Sequence, residues 1–258
     1  MGGTGSGGVA LVRRPGPRLD QGIVTHIDRK PVDVELAYRQ HAAYRAALAA
    51  AGWDVRNVPP ADDHPDAVFV EDTAVIVDDL AVLTRPGAGE RRAETTGTRE
   101  TLNGLGMPVL AITAPGTLDG GDVLQVGDQI YVGRGGRSND AGIAQLAEYV
   151  ATRGRTVVPV GLRNVLHLKS AVTALLDGSL IGLPDLVDTD VLPPIRTAPE
   201  EPGAHVVPVG GAKCLIASSA PRTADLLTGL GYTPIPVDIT EYEKLEGCVT
   251  CLNVLIPG

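Results

Sequence analysis

The sequence predicts a closed α/β propeller built from strand-strand-helix-strand (ββαβ) units, and three observations carry that reading. Copies of the unit recur at about fifty residues, the mark of a repeat whose neighbours complete one another's core. Short Val/Ile/Leu runs are punctuated by 32 glycines and 20 prolines, which suits many short strands joined by tight turns better than a helical bundle. A chain of 258 residues that is 43% hydrophobic can bury a core of its own. With the terminal segments closing the ring, about five units fit its length. Aromatics make up only 3%, so that core must be aliphatic. An open doubly wound sheet is the competing architecture, but it wants single strands alternating with helices, and the hairpins count against it.

Taken in order, residues 1–8 are nearly all Gly, Ser and Thr and read as a flexible tail; residues 9–258 read as one domain. Met1, Gly2 and Ser6 match an N-myristoylation pattern, which the low-complexity composition outweighs. Residues 9–12 are an apolar strand stopped by Arg13, Arg14 and Pro15, and residues 22–31 show no period. Asp33 caps a helix in which Leu36, Tyr38, Ala42, Tyr44, Ala47 and Leu48 recur at helical spacing before Gly52 stops it. Residues 53–58 form the next strand. Strands 68–77 and 80–84 then flank Asp78 and Asp79 as a hairpin, followed by a polar helix over 90–105 and a strand over 109–113. The second copy has strands 122–126 and 130–132 about Gly127 and Asp128, Ser138 as the cap of a helix ending near Arg153, and a strand over 157–160. A third starts at His167 and turns at Asp177 and Gly178 before strand 180–183. The fourth has strands 206–209 and 214–217, a helix over 221–230 and a strand over 233–237.

A net charge of −9 with scattered basic residues argues against nucleic acid as a partner, because counterion release needs clustered Lys and Arg. The acidity suits a small cationic ligand and also ordinary solubility. No segment has membrane-spanning length and no secretory apolar region is present. Cys214, Cys248 and Cys251 make no disulfide framework, so the chain reads as soluble and cytoplasmic.

Cys248 and Cys251 are spaced C-x-x-C. A thioredoxin-like pair needs a following helix to lower the thiol pKa, and only seven residues follow Cys251, ending in Pro257 and Gly258. The other reading is one nucleophilic cysteine at the end of a strand. His167, between leucines, is either a satisfied core histidine or the proton donor that such a nucleophile requires. Acidic residues gather at strand ends: Asp66, Glu71 and Asp72 around Phe69, and Asp119 and Asp122 around Gly120 and Gly121. On a strand Glu71 and Asp72 would point to opposite faces, so one of them should meet solvent or a site. The glycine pair removes side chains where something approaches the backbone. Arg91, Arg92, Arg134 and Arg137 follow the hairpins at equivalent places, either as solvated surface or aimed at a common centre to fork a carboxylate. No metal cage or cofactor motif is apparent: His167 with Cys251 could hold zinc only adventitiously, since structural zinc needs four ligands.

Six motifs, in this order, resemble the dimethylarginine dimethylaminohydrolase family: Pro65-Asp66-Ala67-Val68-Phe69-Val70-Glu71-Asp72, Thr84-Arg85-Pro86-Gly87-Ala88, Thr117-Leu118-Asp119-Gly120-Gly121-Asp122, Arg137-Ser138-Asn139, His167-Leu168-Lys169-Ser170 and Thr250-Cys251, which together span nearly the whole chain. The resemblance implies a five-bladed pseudo-symmetric α/β propeller of the guanidino-group-modifying superfamily, a single catalytic domain over 9–258 and no cofactor or metal. It implies hydrolysis of asymmetric dimethylarginine and monomethylarginine to citrulline, with Cys251 attacking through an S-alkylthiouronium intermediate. His167 is similar to the family's general acid and base and Asp119 to the carboxylate that orients it. Asp72 would pair with the guanidinium, while Asp66 and the carbonyls of Ile23 and Leu245 would meet the α-ammonium. Arg91 and Arg137 would take the α-carboxylate, Phe69 would wall the pocket, and Glu71 and Thr250 belong to the matched binding motifs without an assigned task. Residues 22–31 resemble the family's mobile lid. The expected partner is a small cationic amino acid, with no nucleic acid, no membrane, and room for a homodimer. Cys248 and Asn253 depart from the family pattern next to the nucleophile. Alternatives are an arginine or agmatine deiminase-like hydrolase, a binding module for methylarginine, and a C-x-x-C redox or zinc protein.

Overall fold

Short aliphatic runs between turns become strands, and the turns decide which strands meet. A computed structural model describes residues 7–258. The expected tail over 1–8 and the Gly2 site lie outside the described residues, except that Gly7 and Gly8 open the first strand. Five three-stranded sheets form. The first joins β1 (Gly7–Val12) and β2 (Trp53–Asn57), bridged by α1 (Val34–Ala50), to the last strand, β15 (Val254–Ile256). The second holds β3 (Ala74–Val77), β4 (Leu80–Leu83) and, after α2 (Thr95–Gly104), β5 (Val109–Ala111). The third holds β6 (Val123–Val126), β7 (Gln129–Arg134) and, after α3 (Asp140–Ala151), β8 (Thr156–Gly161). The fourth consists of β9 (Val172–Ala174), β10 (Leu180–Gly182) and β11 (Ile195–Thr197), and the fifth of β12 (Val206–Gly210), β13 (Lys213–Ala217) and, after α4 (Pro221–Gly229), β14 (Thr233–Val237).

Each middle strand pairs antiparallel with one neighbour and parallel with the other. The parallel pairing requires a crossover, which the four helices supply. In the fourth sheet two short 3-10 turns, Pro184–Leu186 and Thr189–Val191, replace the helix. Residues of β3, β6, β9, β12 and β15, one edge strand from each sheet, line one cavity of about 440 Å³. The sheets therefore stand as five blades around an axis, the propeller that the repeat predicts. The core lies between blades: Val75, Leu80 and Val82 of the second pack against Val123, Ile130 and Val132 of the third, with Ile143, Leu146 and Val150 of α3 behind them. Each blade buries its face only against a neighbour, as repeat architectures must. Among the described residues no helix is long and apolar enough to cross a membrane.

Three local expectations need correction. The strand over 68–77 begins only at β3, because Val70–Thr73 is a 3-10 turn in which the Thr73 hydroxyl donates to the Val70 carbonyl at 2.7 Å. Polar side chains that bond to their own backbone compete with the ladder there. The helix over 90–105 opens as a 3-10 turn, Gly89–Glu94, before α2. The cap of α3 is Asn139, whose Oδ1 accepts from the Gly142 N–H at 2.9 Å; Ser138 is instead fully buried. By contrast Asp33 caps α1 as expected, accepting from the Leu36 N–H at 2.9 Å.

Candidate active site

The segments that enter the inner strands converge at one end of the axis. Asp72 lies in the turn before β3, Asp119 just before the turn Gly120–Asp122 that leads into β6, and His167 just before the turn Leu168–Ser170 that leads into β9. Cys251 lies in the turn before β15, where its N–H donates to the Cys248 carbonyl at 3.1 Å and its carbonyl accepts from the Glu71 N–H at 3.2 Å. Four blades thus supply one residue each to the same place. Gly120 and Gly121 allow this crowding. A Cβ on Gly120 would collide with the Glu71 carbonyl, and one on Gly121 would lie 2.7 Å from His167 Nδ1 and 2.8 Å from Asp72 Oδ1.

A tight pocket results, with about 20 Å³ of free space. Ile23, Asp66, Phe69, Asp72, Arg91, Arg137, His167, Leu245 and Cys251 line it, all nine expected from the sequence. Asp119 stands just behind, fully buried, with Oδ2 3.0 Å from His167 Nε2 and Oδ1 accepting from the Gly87 N–H at 2.8 Å. Burial disfavours a charged imidazole, but the Asp72 charge, the Asp119 hydrogen bond and the Asp122 charge outweigh it and raise the His167 pKa to about 9. Burial would also raise Asp72, yet His167 and Arg91 hold its carboxyl down to about 2. His167 is thus an imidazolium beside the Asp72 carboxylate at neutral pH.

The two thiols face each other, Cys248 Sγ 3.1 Å from Cys251 Sγ and 3.1 Å from the Thr250 hydroxyl. Their titrations split. The hydrogen bond from Cys251 pulls Cys248 well below the ordinary thiol range; the same contact, burial, and the charges of Glu71 and Asp72 push Cys251 well above it. The pair releases one proton readily and holds the second.

Around the pocket mouth, Asp66 accepts from the Ile23 N–H at 3.1 Å. Burial raises the Asp66 carboxyl against the charge of Arg91. Phe69 packs edge-on against Tyr242 with centroids 6.2 Å apart. Arg91, 5% exposed, is held by Asp72 at 2.6 Å, by Glu94 at 2.8 Å and by the carbonyls of Asp66 and Phe69 at 3.2 and 3.1 Å. Arg137 approaches Asp119 at 3.9 Å, and no hydrogen bond holds it among the described residues. Residues 22–31 bring Ile23 to the pocket wall and pass beside Glu246, which also lines it. Glu246 clasps them: its carboxylate accepts from the Thr25 N–H at 3.0 Å, the Thr25 hydroxyl at 3.1 Å, the Ile27 N–H at 3.1 Å and the His26 N–H.

Glu71 and Thr250 are not brought to this pocket. Glu71 faces the axial cavity, accepting from Lys169 Nζ at 2.6 Å and the Thr250 hydroxyl at 3.1 Å, and burial raises its carboxyl to about 7 against the pull of Lys169. The neighbours Glu71 and Asp72 are both buried, because a 3-10 turn and not a strand carries them, and each faces a different cavity. Arg92 and Arg134 do not aim at the centre. Arg92 donates to the Pro86 carbonyl at 3.1 Å, and Arg134 is exposed beside Asp140. Among the described residues one trio of potential metal donors, Asp72, Asp119 and His167, has its atoms within 4.8 Å of one another. Those atoms are already engaged by Arg91, Gly87, Gly121 and each other. Sequence reasoning overlooked Glu94 and Glu246; the three-residue spacing of Glu94 from Arg91 is a readable signal, whereas nothing local marks Glu246.

No family model matches the chain. It is 57% identical over 246 residues, 95% of each chain, to the N(G),N(G)-dimethylarginine dimethylaminohydrolase of Streptomyces coelicolor. The fold superposes on the Pseudomonas aeruginosa enzyme of that name, a cysteine-to-serine variant complexed with citrulline, with a TM-score of 0.89 and 33% identity over 97% of this chain and 99% of that one. A histidine-to-glycine dimethylarginine dimethylaminohydrolase that forms an adduct with S-methyl-L-thiocitrulline gives a TM-score of 0.88 and 31% identity over 97% and 100%. With a pocket of a thiol, an imidazolium and paired carboxylates, and identity of this extent along almost its whole length, the chain belongs to the dimethylarginine dimethylaminohydrolase family.

Proposed function

We propose that this chain is a cysteine hydrolase that converts asymmetric dimethylarginine and monomethylarginine to citrulline, releasing dimethylamine or methylamine. The observation that carries this reading is the convergence of Cys251, His167 and Asp72 on one small buried pocket, with Asp119 fixing the imidazole. Asp72 presents a carboxylate ionised down to about pH 2, the complement of a planar guanidinium. A cation bound there also favours the thiolate form of Cys251, which the neighbouring carboxylates otherwise oppose. The sulfur attacks the guanidinium carbon, and His167, protonated at neutral pH, delivers its proton to the departing amine. The neutral imidazole left behind takes a proton from water, which attacks the S-alkylthiouronium; the carbon–sulfur bond breaks, giving citrulline and the free thiol. The ligands of the two related structures, citrulline and S-methyl-L-thiocitrulline, have the product's shape and its thio analogue's shape.

The α-carboxylate falls to Arg137, whose guanidinium makes only a 3.9 Å approach to Asp119 and no hydrogen bond among the described residues, while Arg91 is a buried strut that sets Asp72. The α-ammonium is assigned to Asp66 and the carbonyls of Ile23 and Leu245, a reading supported by all three residues lining the pocket. About 20 Å³ does not admit an arginine side chain, so residues 22–31 must swing away for entry and return to exclude water. Three free cysteines fit work in a reducing, cytoplasmic setting. The test is release of citrulline and dimethylamine from asymmetric dimethylarginine, with arginine and agmatine as controls. Citrulline from the methylarginines and little from the controls is expected; no citrulline from any methylarginine refutes the reading, and faster turnover of arginine or agmatine transfers it to a deiminase.

A further inference from the structure

The hydrolysis gives Cys248 no bond to make or break, yet its sulfur lies closer to Cys251 than any ordinary contact between two sulfurs requires. The separation is 3.1 Å, both thiols are free, and the turn that carries them is closed by the bond from the Cys251 N–H to the Cys248 carbonyl. A disulfide needs about 2.05 Å between sulfurs, so a shift of roughly 1 Å, within reach of side-chain rotation, would join them. The two differ in access. Cys251 lines the pocket; Cys248, 3% exposed, sits beneath it and does not.

We propose that Cys248 is a resolving thiol, and that a peroxide converts the nucleophile into a reversible Cys248–Cys251 disulfide, making the pocket a modification site as well as a catalytic one. This goes beyond the hydrolytic reading and rests only on the juxtaposition of the two thiols. The opening that admits a methylarginine also admits a small oxidant such as hydrogen peroxide to Cys251, which lines the pocket. Cys251 hands its proton to the Cys248 thiolate 3.1 Å away, and its sulfur attacks one peroxide oxygen; the oxygen–oxygen bond breaks, hydroxide leaves and takes that proton back from Cys248 to become water, and Cys251 becomes a sulfenic acid. Cys248, as thiolate, attacks that sulfur; the sulfur–oxygen bond breaks and a second hydroxide leaves as water. In sum two thiols are oxidised to one disulfide and one peroxide is reduced to two waters.

The surroundings of Cys248 support the second step. The Thr250 hydroxyl is 3.1 Å from its sulfur, and the charge of His205 further favours its thiolate. Cys214 is a built-in control: it is buried in β13, and burial raises its thiol to about 11, so it should stay reduced.

The test treats the full chain and its Cys248→Ser variant with graded hydrogen peroxide, maps the cysteines by mass spectrometry, and measures citrulline formation before oxidation, after it, and after dithiothreitol. Wild type should become about 2 Da lighter, with one peptide joining residues 248 and 251, and should regain its own starting rate on reduction. The variant should become about 32 Da heavier at Cys251, the sulfinic acid, and regain under roughly one-tenth of its starting rate. The proposal is overturned if wild type accumulates Cys251 oxyacids without the 248–251 link, forms only intermolecular disulfides, or recovers no better than the variant. Should Cys248→Ser not fold, Cys248→Ala takes its place, and the wild-type mass map decides alone. That map requires no turnover, so a chain inactive on methylarginine still shows whether the disulfide forms.

Discussion

Gly121→Ala asks how closely the site is fitted. The new methyl would stand 2.7 Å from His167 Nδ1, 2.9 Å from its Cγ and 2.8 Å from Asp72 Oδ1, where ordinary contact begins at 3.4 Å. The imidazole and the carboxylate must therefore each retreat by roughly 0.6–0.7 Å, and the hydrogen bond from the Gly121 N–H to Asp72, 2.9 Å long, is strained as they do. The backbone itself does not object, since Gly121 has no positive φ. A misplacement of about 1 Å can remove about two powers of ten in rate, so kcat should fall about 30-fold, equivalent to ~2 kcal/mol in the barrier. Overpacking of this kind costs about 1–3 kcal/mol in stability, which leaves a folded protein with a melting temperature a few degrees lower. Gly89→Ala is the control, because nothing lies within 4 Å of its added methyl. The assay is the initial rate of citrulline release across methylarginine concentrations, paired with a thermal melt. A Gly121→Ala enzyme with wild-type kcat and an unshifted melt would refute the claim that this glycine sets the position of His167 and Asp72.

Three further outcomes are expected. His167 carries a pKa of about 9 in the fold against about 6.5 unfolded, so the folded state binds its proton more tightly; that stabilisation is complete below about pH 6.5 and is lost as pH rises through 9. In urea unfolding, the stability difference between wild type and His167→Asn should shrink over that window, and a difference flat from pH 6 to 9.5 would contradict the assignment. Arg137→Ala should raise KM with kcat nearly kept, because it removes a contact made in ground and transition states alike. Arg91→Ala should instead lower stability by about 3–5 kcal/mol by stranding Asp72 and Glu94. Equal kinetic and thermal effects of the two arginine variants would erase the distinction between strut and ligand. Glu246→Ala removes the common acceptor of the Thr25, His26 and Ile27 amides, whose hydrogen exchange should quicken by roughly tenfold or more; unchanged protection would show that something else holds residues 22–31 down.

Much of the fold was legible because its signals are local. The Asp33 cap, the Asp78 turn and the runs that became β12 and β13 are settled by neighbours in sequence, and the repeat turns such signals into a ring. What escaped depends on distant partners or on near-equivalent choices. Ser138 and Asn139 are both good caps, and only the burial of Ser138 between Asp119 and Asp122 decides for its neighbour. Alternation along a strand separated Glu71 from Asp72 for the wrong reason: a 3-10 turn, with no strand alternation, sends the two to different cavities. The missing helix before β11 could not be seen, because a run of 3-10 turns rich in Pro and Asp has no period. For the site, motif order supplied the residues that meet, but no spacing in sequence could show that Arg91 is saturated and Arg137 free, or that Glu246, more than two hundred residues from Thr25, closes over it.

The pairing of Leu11 with Val254 and Val9 with Ile256 has a consequence in time as well as in space. β15, which completes the blade of β1, follows every other strand described; until it is made the edge of β1 is open and the turn bearing Cys251 has no downstream anchor. A nascent chain can seat Asp119 and His167 on finished blades while still lacking the means to attack anything. Activity is therefore a reporter of complete ring closure: a partly folded or clipped form that has lost the β1–β15 pairing should bind nothing covalently, however native the rest of it looks, because that pairing holds the nucleophile in place.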